Sequence, residues 1–365
     1  MFTLTKRLMP LLLIFSFFCA LFSISGDSAV YAVAANGIAM PDRYFASETV
    51  SKIEREPVYV GGMPIGIEVK SSGLIIIGKT DVVTEDGLIN TAGESNIEKG
   101  DILFNVAGNT VNTTKELSDI INSEPVKGKR VVIELRRKNQ IVKTSITSAL
   151  DKTSKTYKTG LWVREETHGI GTVTFIKKNK RFASLGHPVV DADTRDIFPI
   201  REGKAFNANI TGVMKGERGV PGELKGLLKK DGGAIGSIDK NNVFGIYGDF
   251  NYIITNPKYP DPIDIMPRSQ VKPGKAEIIS TISGTKPEVY QVEIVKTNFQ
   301  AKAADRSLVI KVTDKTLLEK TGGIVQGMSG SPIIQGGKLV GAVTHVFVND
   351  PTRGYGVYAD WMINQ

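Results

Sequence analysis

Hydrophobic and polar positions along this chain mostly alternate with the period of two that a half-buried strand requires. Runs at 170–176, 205–213, 242–247, 289–295, 308–312 and 339–348 are short, rich in β-branched residues and separated by glycine turns. From residue 160 to residue 365 few windows have helical spacing, which predicts a β-barrel or a pair of barrels. Within that half, 222–230 reads as a short helix, and 257–273, with five prolines, as a long irregular loop. The stretch before it differs. Runs at 74–77 and 130–135 predict strands, while 114–121 places Leu117, Ile120 and Ile121 on one face of a helix with a Thr/Glu-rich start. Residues 59–150 therefore read as one small α+β domain, between polar linkers at 35–58 and 151–159, with a β domain at 160–365. At the N-terminus Lys6 and Arg7 precede an apolar run at 8–22, and Ala32-Val33-Ala34 fits a small-residue cleavage site. Residues 1–34 thus read as an export signal, or as an uncleaved anchor if the apolar run is taken on through Ile24.

Composition narrows the chemistry. A chain of 365 residues has room for two or more domains, and 38 glycines favour turn-rich β structure. The net charge of +8 is not gathered into a dense basic block: Arg136-Arg137-Lys138 and Lys177-Lys178 sit at strand ends as solvated residues, so no nucleic-acid footprint is expected. The one cysteine, Cys19, lies in the apolar leader, which leaves the folded part without a disulfide, a thiol nucleophile or a cysteine-bound zinc. It follows Phe18 rather than a small residue, which argues against a lipoprotein signal. The three histidines, His168, His187 and His345, have no ligand-like spacing, so neither a metal nor a cofactor is expected.

One stretch carries candidate nucleophilic chemistry. In Gly327-Met328-Ser329-Gly330-Ser331-Pro332 a serine stands between glycines, with β-branched residues on both sides. Glycine tolerates positive φ and close backbone approach. Such a turn can hold the Ser329 hydroxyl at a surface with the Gly327 and Ser329 N–H groups aimed at one small space, as an acyl-transfer nucleophile and its oxyanion hole require. Ser331 then becomes a turn residue. A general base must be a histidine. His187, in Ser184-Leu185-Gly186-His187-Pro188, comes 142 residues before Ser329 (329 − 187), the His-before-Ser order of chymotrypsin-like proteases. His168, after Glu165-Glu166-Thr167, reads as a solvated turn residue, and His345 as a packed strand residue. The orienting acid stays open among Asp231, Asp239, Asp249 and Asp314. The last sits at the end of an apolar strand, where the capping box Thr316-x-x-Glu319 gives it the alternative of starting a helix.

Two resemblances add to this reading. The order of elements in 59–150, with Asn96-Ile97-Glu98-Lys99-Gly100-Asp101-Ile102-Leu103-Phe104-Asn105-Val106, resembles a PDZ domain. That resemblance implies that the turn Met63-Pro64-Ile65-Gly66 receives a peptide's terminal carboxylate and that the sheet edge beyond it takes the peptide as an added strand. The motifs Ser184-Leu185-Gly186-His187-Pro188, 321–333 around Ser329, Gly341-Ala342-Val343-Thr344-His345-Val346 and 349–356 resemble the stage IV sporulation protein B family, signalling serine peptidases of endospore formers, over the whole chain. The resemblance implies a chymotrypsin-like double β-barrel after the PDZ-like domain, and a His187-Asp314-Ser329 triad, choosing Asp314 among the open acids. It also implies a serine endopeptidase exported across the inner forespore membrane, held there by the N-terminal segment or released. Its implied substrates are itself and a regulatory subunit of the membrane protease complex that processes pro-sigma-K, with an inhibitor protein as a further partner. Two other classes fit the same layout: a non-catalytic PDZ signalling scaffold and a general envelope quality-control protease.

Overall fold

The structure is a computed structural model that describes residues 55–365 apart from 94, 299 and 301; the leader expected at 1–34 lies outside the described residues. Within the compact unit 51–365, strands dominate and helices are short. Two rings of six antiparallel strands can be traced. In the first, Pro64–Lys79, Leu161–Ile176, Arg181–Ser184, Gly245–Phe250, Gly236–Asn242 and Ile200–Met214 pair in that order, and the last returns to Pro64–Lys79. The second is a closed barrel of Gly274–Ser280, Glu288–Thr297, Leu308–Val312, Asp350–Tyr358, Lys338–Phe347 and Pro332–Gln335. Each ring closes because one face of every strand is apolar. Ile65, Ile67, Val69, Val173, Phe182 and Ile246 fill the first core. Ile278, Val292, Ile310, Met328, Ile333 and Val343 fill the second.

The two long strands of the first barrel do double duty. Pro64–Lys79 and Leu161–Ile176 pair along most of their length, with the register jogging between Arg164↔Ile75 and Glu166↔Lys70. Before the jog on the first strand, side chains enter the barrel core. Beyond it, Leu74 and Ile76 turn to a separate core with Leu103, Val106, Val111, Leu117, Ile121, Ile133 and Leu135. This third core belongs to an α+β unit that includes strands Ile102–Val106, Val131–Arg137 and Gln140–Ile146 and helix Thr114–Ile121. The helix matches the sequence expectation, and a capping box of Thr113 and Glu116 holds its start. Gly100-Asp101 also has its reason: the buried Asp101 carboxylate accepts from Arg137 Nε at 2.7 Å and Nη2 at 2.8 Å and from the Glu98 N–H at 2.8 Å.

Several expected boundaries move. The α+β unit is an excursion out of the first barrel rather than a domain preceding it, because residues 64–70 supply a barrel strand. The linker expected at 151–159 is structured: Tyr157–Lys158 pairs with Ala149–Leu150, and Asp151 and Thr159 are buried. Between those two, Lys152 to Thr156 and Lys158 remain exposed. The helix expected at 222–230 is strand Glu223–Lys229, paired along Ile200–Met214. Its Leu224 reaches the second core, so tertiary pairing overrides local spacing there.

Candidate active site

The serine turn is held from three directions. Helix Lys315–Thr321 leads into it through Gly322 in the left-handed region. The strand that follows, Pro332–Gln335, fixes its far end, and within the turn Gly330 N–H donates to Val343 O at 2.8 Å. The third hold comes from the first barrel. Thr172 Oγ1 donates to Gly327 O at 2.9 Å, Thr172 N–H to Ser329 O at 3.0 Å, and Thr174 Oγ1 to Gly330 O at 2.8 Å. Gly330 has φ 94, and a Cβ there would stand 2.0 Å from Thr172 O and 2.5 Å from Leu185 N. Only glycine lets the two backbones approach this closely.

His187 reaches the same place from the first barrel by a strained turn. Leu185 and Gly186 have φ 70 and 69, so the chain leaving strand Arg181–Ser184 reverses through two left-handed residues. Holding a leucine there costs of order 1–2 kcal/mol, the kind of strain that tertiary packing must support. Gly186 packs against Thr344, Ala342 and Val357 of the second barrel. His187 Nδ1 lies 2.9 Å from Pro188 O; a carbonyl can only accept, so Nδ1 carries the proton and Nε2 presents a lone pair. Burial lowers the His187 pKa to about 4, with the neighbouring His345 acting in the same direction and Asp305 against it. The imidazole is therefore neutral near pH 7.

Ser329, His187, Gly327, His345 and His168 line one cleft of about 630 Å³ between the barrels. The Ser329 hydroxyl donates to Thr344 O at 2.8 Å. Among the described residues, neither the Gly327 nor the Ser329 N–H has a hydrogen-bond partner. Ser331, the other serine of the turn, is fully buried. His345 is half-buried in the cleft wall, its ring centroid 4.9 Å from that of His187, and its Nδ1 is buried without a partner among the described residues. His168 is not in a turn as expected: it lies on strand Leu161–Ile176, opposite Glu68.

Two sets of expected site residues fall elsewhere. Asp314 does not line the cleft. Its Oδ1 accepts the Leu317 N–H at 2.9 Å and its Oδ2 the Gln291 N–H at 3.4 Å, as the N-cap of helix Lys315–Thr321. Of the other acids left open, Asp239 and Asp249 pair with Arg181, and Asp231 is exposed. Met63-Pro64-Ile65-Gly66 is not a free carboxylate-binding loop. Pro64, Ile65 and Gly66 open strand Pro64–Lys79, are buried, and pair with Leu161–Ile176 on one side; Ile65 and Gly66 also pair with Ile200–Met214 on the other. No sheet edge is left there for a peptide. A different groove, lined by Leu117, Ile121, Gly160, Leu161 and Trp162, opens between helix Thr114–Ile121 and the start of strand Leu161–Ile176.

Sequence reasoning missed Thr172, Thr174 and Thr344. The alternation in Gly171-Thr172-Val173-Thr174 does put both threonines on one face of a strand, but the turn they hold is some 155 residues away, as the Thr172–Gly327 separation records.

A serine hydroxyl and a neutral imidazole lining one cleft between two six-stranded barrels are the arrangement that a serine hydrolase of the double-barrel class requires. Residues 155–363 match the SpoIVB peptidase S55 family, more than half of the chain. The chain belongs to that family and is a serine peptidase. No curated protein matches it. Among solved structures, the active form of the Rv3671c protease from M. tuberculosis is 15% identical over 55% of this chain and 73% of its own, with a TM-score of 0.31. The PDZ domain of an SdrC-like protein from Listeria monocytogenes is 20% identical over 26% of this chain and 90% of its own, at a TM-score of 0.20. At such scores neither likeness bears on fold or activity.

Proposed function

We propose that this peptidase cleaves protein substrates internally with Ser329 as nucleophile and His187 as general base. The supporting observation is the placement of both side chains in the one interbarrel cleft, with the His187 tautomer already set for accepting a proton at Nε2. On substrate binding the Ser329 hydroxyl leaves Thr344 O and turns to His187. The Oγ–carbonyl carbon bond forms as the proton passes to Nε2. The resulting oxyanion is received by the Gly327 and Ser329 N–H groups, which have no other acceptor among the described residues. Collapse expels the amine, which takes the proton from His187, and water attacks the acyl-enzyme by the same route in reverse. In this arrangement Pro188 O fixes the His187 tautomer.

For the biological setting we adopt the family's role. The enzyme, exported to the space between the forespore membranes by residues 1–34, cleaves itself and a regulatory subunit of the pro-sigma-K processing complex, under an inhibitor's control. The PDZ-like unit selects peptides, and the groove beside Trp162 is the place for them rather than Met63-Pro64-Ile65-Gly66. The deciding experiment treats full-length wild type and Ser329→Ala with a fluorophosphonate and follows self-cleavage. Labelling of wild type alone, at Ser329, with self-cleavage lost in the variant, is expected. An unlabelled wild type would favour a non-catalytic scaffold. Cleavage of many unfolded proteins would favour a quality-control protease.

A further inference from the structure

Of the six non-glycine residues held in the left-handed region among the described residues, two line the cleft, Leu185 and Arg195. Leu185 belongs to the turn that delivers His187. Arg195 stands at φ 66 in the loop after it, and such a backbone persists only where its surroundings enforce it.

That loop is built to hold one shape. At its base Asn241 Oδ1 accepts the Val189 N–H at 2.9 Å, and Asn241 Nδ2 donates to Val189 O at 2.8 Å and to Phe198 O at 3.0 Å. At its centre the buried Asp191 carboxylate accepts the Thr194 N–H at 2.8 Å, the Asp193 N–H at 2.9 Å and Arg164 Nη1 at 2.6 Å. The Arg195 N–H closes the turn on Asp191 O at 3.0 Å. The acids flanking Arg195 are turned to other uses. Asp193 pairs with Arg164 Nη2 at 2.6 Å, and the Asp196 carboxylate lies against Gly100 of the α+β unit. Among the described residues the Arg195 guanidinium has neither an ion pair nor a hydrogen bond.

Arg195 is thus an exposed cation on a fixed stem at the cleft. Among the described residues no aspartate, glutamate or lysine lines that cleft, and much of its wall is apolar, with Val189, Val190, Ile324 and Val346 in it. Two glutamates close by, Glu68 and Glu166, face His168 instead, and Glu68 also holds Lys230. Apolar walls concentrate the field of a single charge. A guanidinium matches a carboxylate with paired N–H bonds.

We propose that Arg195 is a specificity-determining residue that binds a substrate carboxylate. The peptidase then favours an Asp or Glu side chain within about four residues of the scissile bond, ~13 Å of extended chain, in an otherwise apolar stretch. The proposal rests on Ser329 and His187 being the reacting pair.

The test follows fluorophosphonate labelling at Ser329 in full-length wild type, Arg195→Glu and Arg195→Asn, the last suited to a left-handed backbone. Two alanine-rich decapeptides, alike except for a central Glu or a central Lys, compete for the cleft. In wild type the Glu peptide is expected to halve the labelling rate at a concentration about threefold or more below that of the Lys peptide, with the gap narrowing as salt is raised. Arg195→Asn should close the gap, and Arg195→Glu should reverse the order. Each comparison is made within one protein, so a variant's own labelling rate does not enter. Where Arg195→Glu fails to fold, Arg195→Asn decides. Equal protection by the two peptides in wild type, or a Glu preference that survives in either folded variant, overturns the proposal. A wild type that does not label at Ser329, or a Ser329→Ala protein that labels as wild type does, instead removes the reacting pair.

Discussion

His187 carries the sharpest prediction at the scale of single residues, because burial rather than a charge partner dominates its titration. Its pKa is lowered to about 4 in the folded protein, from 6.5. The groups that bear on it are His345, which lowers it further, and Asp305 and the Pro188 carbonyl, which raise it. In the proposed mechanism the neutral imidazole is the reactive base, so the fluorophosphonate labelling rate should stay level from neutral pH downward and fall only as pH passes through about 4. Stability follows with the same sign. Between pH 6.5 and about 4 the unfolded chain binds a proton at this residue that the folded chain refuses, so this contribution is present above 6.5 and is lost as pH falls toward 4. Thermal melts across that window should show the loss in wild type and less of it in His187→Gln. His345, whose pKa burial also lowers, acts in the same direction.

Among the elements, strand Leu161–Ile176 connects most of what matters. Its first residues border the groove beside helix Thr114–Ile121, residues 167–170 line the catalytic cleft, and Thr172 and Thr174 hold the serine turn. Thr172→Val keeps the shape but removes the donor to Gly327 O in a buried place. The orphaned carbonyl should cost about 1–3 kcal/mol in stability. The displaced turn should slow fluorophosphonate labelling about tenfold or more while the protein stays folded. An unchanged labelling rate would remove the strand from the mechanism. Of this strand only 170–176 was legible from sequence, its first half being missed where His168 read as a turn residue; helix Thr114–Ile121 and strand Leu308–Val312 were legible too. Strand Glu223–Lys229 was not, since its leucines also fit helical spacing and only pairing with Ile200–Met214 chose between the two.

Across the whole molecule, the sharing of two strands makes the PDZ-like unit and the first barrel inseparable at 59–150. Deleting those residues takes away Pro64–Lys79 and should leave no folded protein. Lys70 and Glu166, by contrast, are register partners on adjacent antiparallel strands. Replacing 71–165 by Asn-Gly, a turn suited to a two-residue hairpin, should give a folded double barrel that labels at Ser329. Circular dichroism and the labelling assay check both variants. A folded 59–150 deletion beside an unfolded 71–165 replacement would show that the excursion has been placed wrongly.

Local sequence by itself determined the β character of the chain, the helix at 114–121 and the glycine turn around Ser329. Each of these rests on periodicity or on backbone freedom confined to a few neighbouring residues. Tertiary structure alone decided which acid is near which base, where a free sheet edge lies and how the two barrels share the site. Asp314 shows why: an aspartate after an apolar strand serves equally as a helix cap or as a triad acid. Only the positions of Leu317 and Gln291, set by packing between distant strands, show it capping helix Lys315–Thr321. The serine turn needed the same help, since Gly330 makes its contact with Thr172 only when two barrels have closed against each other.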